Sequence, residues 1–82
     1  RQLTYAQLNR RANRLAAHLR SLGVGPDAMV GIHLERSENL VTAILAVLKA
    51  GGAYLPLDPN YPAERIAFMI DDAEAPVIIT EN

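Results

Sequence analysis

The sequence predicts an α/β fold: a parallel sheet flanked by helices, with elements in the order α-β-α-β-α-β. Three observations carry that expectation. Apolar residues recur at helical spacing in three stretches, and the stretches between and after them read as short apolar or alternating strands. Glycine and proline punctuate the junctions at residues 23–27, 51–52 and 58–62. Side chains that cap helices precede the first and second helical stretches.

The first helix begins at Tyr5. Thr4 followed three residues later by Gln7 makes a capping box, and Leu3 lies at staple distance from Leu8. Leu8, Ala12, Leu15, Leu19 and Leu22 form one apolar stripe, with Arg10, Arg14 and Arg20 elsewhere, and Gly23 stops the helix. Gly25, Pro26 and Asp27 make a turn. Val30, Ile32 and Leu34 then alternate with Gly31 and His33 as a strand. Ser37 caps a second helix from Glu38 to Lys49, which Gly51 and Gly52 end.

That second helix is apolar almost all round, with only Thr42 on a narrow polar strip, and such a helix belongs inside a larger body. Residues 53–57 read as a second strand, in which Pro56 cannot donate to the ladder and so sits near a strand end or an edge. After a turn at Asp58, Pro59 and Asn60, Pro62 suits the first position of a third helix, and Glu64 suits its positive end. Ile66, Met69, Ile70 and Ala73 make its buried stripe. Phe68 falls on the opposite face, either as a contact with further protein or as an ordinary exposed aromatic. Residues 77–80 are a third strand.

Eighty-two residues, half of them hydrophobic and 21% charged, describe one globular domain at most. At this length hydrophobic burial and the entropy of ordering nearly cancel. With no Cys and two His, neither a disulfide nor a structural zinc site tips the balance. Either the fold is unusually well packed, or the sequence is part of something larger. Eight Lys and Arg against nine Asp and Glu give no field that recruits nucleic acid or an anionic membrane. No stretch is long enough to span a bilayer, and a cytoplasmic location is the expectation.

Most candidate chemistry fails on context. Gly23, Val24 and Gly25 follow a helix and lack the third glycine of a dinucleotide loop. Lys49 precedes Gly51 and Gly52 at a helix C-terminus, where the dipole repels phosphate. Asp71 and Asp72 are helix neighbours that point about 100° apart and cannot share a proton. His33 reads as a hydrogen-bonded structural histidine and His18 as a solvent-exposed one. Arg36 and Ser37 are the most attractive local pair, because they follow a strand's C-terminal end and open a helix. Plain capping remains the simpler role there, since no glycine allows close backbone approach.

Two motifs carry a resemblance. Leu3-Thr4-Tyr5-Ala6-Gln7-Leu8 resembles the first core motif of nonribosomal peptide synthetase adenylation domains, with Gln7 where Glu is usual. Leu48-Lys49-Ala50-Gly51-Gly52-Ala53-Tyr54-Leu55-Pro56-Leu57-Asp58 is similar to the second, continued by Pro59, Tyr61, Pro62, Glu64 and Arg65. Leu55 and Leu57 replace Val or Ile. The resemblance covers essentially the whole chain and implies membership of the adenylate-forming superfamily. Residues 1–82 are then expected to be the N-terminal portion of an adenylation domain, within its large subdomain and with no internal boundary.

By the same resemblance, the complete domain uses Mg and ATP to turn an amino acid into an aminoacyl-AMP. It then passes the acyl group to the phosphopantetheine thiol of a carrier domain, and it neighbours condensation and carrier domains. The family's phosphate loop, amine-anchoring Asp, specificity pocket, ribose-binding Asp, hinge and catalytic Lys are all expected downstream of Asn82. No catalytic, cofactor-binding or metal-binding residue is therefore expected here, and the segment is expected to be scaffold, inactive alone. Two other readings stay open: a segment of another adenylate-forming ligase, for an acyl or aryl acid, and a non-catalytic module that docks through residues 40–48 and Phe68.

Overall fold

A computed structural model describes residues 4–80. The elements follow the expected order: α1 (Tyr5–Ser21), β1 (Met29–His33), α2 (Glu38–Lys49), β2 (Ala53–Pro56), α3 (Ala63–Ala73) and β3 (Val77–Thr80). The three strands form a parallel sheet in the order β2-β1-β3. β1 is thus central. Pro56 is the last residue of β2, a strand that β1 flanks on one side only, where its missing N–H costs no ladder bond. The pairing runs one residue further than the strand itself, because Leu57 N–H donates to the Ile32 carbonyl at 2.8 Å.

Local sequence explains the helix ends. In α1 the Thr4 side chain accepts from Gln7 N–H at 3.1 Å, and Gln7 Oε1 accepts from Thr4 N–H at 2.9 Å, closing the capping box. The Leu3 staple lies outside the described residues. Ser37 Oγ accepts from Asn39 N–H at 3.2 Å at the start of α2. Pro62 stands one position before α3 rather than at its first residue, and no side chain caps that helix. Its carbonyl instead accepts from Arg65 N–H and Ile66 N–H.

All three helices close in the same way. In α1, Gly23 N–H donates to Arg20 O and Val24 N–H to Leu19 O, with Gly23 at φ 96°. In α2, Gly51 N–H donates to Leu48 O and Gly52 N–H to Val47 O, with Gly51 at φ 89°. These are paired 5→2 and 6→1 bonds around a left-handed residue. α3 repeats the pattern with Glu74, not glycine, in the left-handed position at φ 54°.

The core lies between the sheet and the α1–α2 layer. Val30, Ile32 and Leu34 meet Ala16 and Leu19 of α1 and Ala43, Ala46 and Val47 of α2. The alanines let the two helices approach closely. Two expectations change here. Leu22 ends the α1 stripe outside the core at 53% exposure, and Ala16 is buried in its stead. Thr42 does not line a polar strip facing water: it is buried, and its Oγ1 donates to the Glu38 carbonyl one turn back at 2.8 Å. The outward side of α2 is apolar, carried by Val41 and Leu48. The core-facing side tolerates Thr42 because the hydroxyl is satisfied within its own helix.

Because β2 and β3 flank β1 on opposite sides, the two crossovers run in opposite directions. With the usual right hand they put α2 and α3 on opposite faces of the sheet. The second face is thinner. None of the α3 residues is fully buried; Ile66, Met69, Ile70 and Ala73 are half-buried, which corrects the expected buried stripe. Phe68 is 67% exposed, on the outward side as expected.

Candidate functional site

The reversal of strand order sets a feature with the form of a site. Leaving the C-terminal end of β1, the chain turns to α2 on one face; leaving the adjacent end of β2, it turns to α3 on the other. Two neighbouring loops that part in this way open a crevice between them, the usual ligand position in an open parallel sheet. A cleft of about 540 Å³ lies there. One lip is Ile32, Leu34, Glu35, Arg36 and Leu40, and the other is residues 56–61.

Its floor is apolar and its rim carries both signs of charge. The second lip is stiff. Asp58 Oδ1 accepts from Asn60 N–H at 2.9 Å, and the Asp58 carbonyl accepts from Tyr61 N–H at 3.0 Å, so the Asp-Pro-Asn turn is held by its own side chain. The Arg65 guanidinium lies 4.6 Å from the centre of the Tyr61 ring, which fixes that ring from the α3 side.

Of the pair singled out in the sequence, Arg36 lines the cleft while Ser37 serves as the α2 cap. Sequence reasoning missed the second lip. Its signal is the proline-flanked turn after β2, but only the strand order shows that this turn faces Arg36. The remaining candidates are scattered. Gly23 and Gly51 end helices, and the Lys49 carbonyl accepts from Arg20 Nη1 at 3.2 Å. His18, Asp71 and Asp72 are exposed. His33 is half-buried and its Nε2 has no hydrogen-bond partner among the described residues, which corrects the expectation of a bonded imidazole.

Among the described residues no three His, Cys, Asp or Glu side chains are grouped to hold a metal ion. No described helix is long and apolar enough to cross a membrane.

The family model for AMP-binding enzymes matches residues 1–82. The chain belongs to the AMP-binding enzyme family. Within it, the kinship read from the two motifs holds. The chain is 62% identical over 81 residues to chondramide synthase cmdD of Chondromyces crocatus, covering 99% of this chain and 2% of that protein. It is 57% identical over 80 residues to tyrocidine synthase 3 of Brevibacillus parabrevis, covering 98% of this chain and 1% of that one.

Solved structures agree. The nonribosomal peptide synthetase FmoA3 in its AMPPNP-bound form superposes with a TM-score of 0.94 at 39% identity, over 98% of this chain and 9% of that one. The N-terminal subdomain of Klebsiella oxytoca NpsA, in complex with 3-hydroxyanthranilyl-AMSN, superposes at 0.88 with 30% identity, over 100% and 21%. This member of the AMP-binding family thus spans a small part of every one of these relatives.

Proposed function

We propose that residues 1–82 are the N-terminal portion of an adenylation domain in a nonribosomal peptide synthetase, and that the complete domain activates an amino acid. The observation that carries this is the 57–62% identity to two peptide synthases over nearly the whole chain. In the proposed reaction the amino-acid carboxylate attacks the α-phosphorus of ATP. Pyrophosphate leaves, and a mixed anhydride with AMP remains. The phosphopantetheine of a carrier domain would supply the thiol that accepts the acyl group, with AMP as the leaving group.

These 82 residues supply the frame. The crevice does not suit a triphosphate: among the described residues that line it Arg36 is the one cation, Glu35 and Asp58 share its rim, and no glycine-rich turn offers converging N–H groups. No step is therefore routed through it, and we assign no catalytic, cofactor or metal residue to the segment. ATP use by the parent is supported by the family and by the AMPPNP-bound FmoA3 relative. Mg as the metal of that ATP, condensation and carrier domains as neighbours, and a cytoplasmic location complete the proposal.

NpsA, bound to an aryl-acid adenylate analogue, favours an aryl-acid ligase as the second reading. At 30% identity it is the more distant relative, and the amino-acid reading is preferred. The test is amino-acid-dependent exchange of pyrophosphate into ATP. The intact domain containing this segment should catalyse it and the 82-residue chain alone should not. Exchange driven by aryl acids but by no amino acid overturns the preferred reading, and exchange by the short chain overturns the scaffold role.

A further inference from the structure

The charge on this chain is sorted by layer. α1 holds Arg10, Arg11, Arg14, His18 and Arg20 and not one Asp or Glu, whereas α3 and its cap hold Glu64, Asp71, Asp72 and Glu74 against Arg65 alone. At about 100° per residue, Arg10 and Arg14 fall on the side of α1 directly opposite the buried Ala12, Ala16 and Leu19, with His18 continuing the same line. Arg10 and Arg14 are exposed, and no hydrogen bond or ion pair links their side chains, or that of Arg11, to another of the described residues.

This arrangement works against the helix that carries it. Arg10 and Arg14 are like charges at i and i+4, which oppose helix formation by about as much as an opposite pair supports it. The first turn has no acidic residue to meet the helix dipole. Other arginines have partners: Arg20, near the end of the same helix, bonds the Lys49 carbonyl, and Arg65 of α3 lies over the Tyr61 ring. The stripe that local helix chemistry disfavours is thus also the stripe left without a partner among the described residues.

We infer that the Arg10–Arg14 face of α1 docks against an acidic protein surface elsewhere in the same polypeptide. The near balance of charge over these residues and the acidic α3 layer on the opposite face give no net field that recruits a nucleic-acid backbone. The relatives run to many times the length of these residues, so the partner surface has room to be covalently linked and present at high effective concentration. The inference rests on the segment working within such a longer chain.

The experiment uses the full-length synthetase carrying R10K/R14K, which keeps both charges and adds amines that a carbodiimide joins to nearby carboxylates. Peptide mapping should find positions 10 or 14 joined to an Asp or Glu outside residues 1–82 of the same molecule. The yield should fall about threefold or more in 0.5 M NaCl, where screening acts within a few ångströms. In the wild-type protein, phenylglyoxal should modify Arg10 and Arg14 slowly at low salt and faster at high salt. No cross-link, links only within residues 1–82, or links only between molecules overturn the proposal. So does arginine protection that nuclease treatment removes, because the partner is then nucleic acid. Pyrophosphate exchange by the same preparation is measured alongside. An active enzyme without cross-links sinks the docking face alone, and cross-links in an enzyme inactive towards every amino acid sink only the proposed reaction.

Discussion

Gly31 and Ile78 stand opposite one another on paired strands, so close that a Cβ on Gly31 would lie 2.8 Å from Ile78 Cδ1 and 3.0 Å from Leu57 Cδ1. The glycine in the middle of the central strand is therefore explained by its neighbours: its missing side chain is the space that Ile78 and Leu57 fill from either side. Gly31→Ala is expected to destabilise the intact domain by about 1 kcal/mol through overpacking. Ile78→Val deletes the nearest offending atom. The double variant should accordingly recover roughly 0.5 kcal/mol or more of that loss in a double-mutant cycle read by denaturant unfolding. Strictly additive effects would show that the two side chains do not compete for that space.

The three helix ends make a matched comparison, since only α3 puts a residue other than glycine in the left-handed position. A side chain there costs on the order of 1 kcal/mol. Glu74→Gly should raise stability by about 0.5 kcal/mol or more, net of the glycine's extra chain entropy, and Gly51→Ala should lower it by about 1 kcal/mol. Thermal unfolding of the two variants should thus move in opposite directions. A shift of the same sign in both would remove backbone strain as the cause.

At the other end of α1, both halves of the capping box can be varied. Thr4→Ala removes the acceptor for Gln7 N–H and should cost about 1 kcal/mol, while Thr4→Ser should restore most of it. Gln7→Glu keeps the reciprocal bond to Thr4 N–H and supplies the negative charge that the first turn lacks. It should add a few tenths of a kcal/mol at low salt, a gain that screening removes. Amide hydrogen exchange across residues 5–8 reads this locally. A gain that survives high salt would point away from the dipole.

Most of the frame is legible in local chemistry. Thr4, Ser37, Gly23 and Gly51 mark their helix ends by side-chain hydrogen bonds or by positive φ, both properties of a few consecutive residues. The left-handed Glu74 escapes such a reading because no residue type announces it. The crevice is half visible. Arg36 follows a strand and precedes a helix, which sequence shows; that residues 57–61 form the facing lip depends on β2 and β3 lying on opposite sides of β1, which no local pattern encodes. Leu22 and Ala16 exchange roles for a related reason. The apolar stripe gives the direction a helix faces, but how far along its length the partner helix reaches is set by α2, and α2 meets the alanines and leaves Leu22 past the contact.

Thr42 is where the two kinds of information disagree most usefully. Its polarity suggests a solvent-facing strip of α2, and its position places it 8% exposed among the core residues. If the strip faced water, Thr42→Asp would be harmless and Thr42→Val would merely add to an apolar surface. In the buried setting the order inverts. Thr42→Val keeps the branched shape and gains a methyl, while the Glu38 carbonyl that Oγ1 bonded still accepts from the helix backbone, so stability should change by no more than about 0.5 kcal/mol. Thr42→Ser removes a packed methyl and should cost about 1 kcal/mol. Thr42→Asp buries a carboxylate with no cation among the residues packed there and should cost roughly 3 kcal/mol or more. Urea unfolding of the three variants in the intact domain gives the ranking. An aspartate tolerated as well as the valine would return Thr42 to the surface.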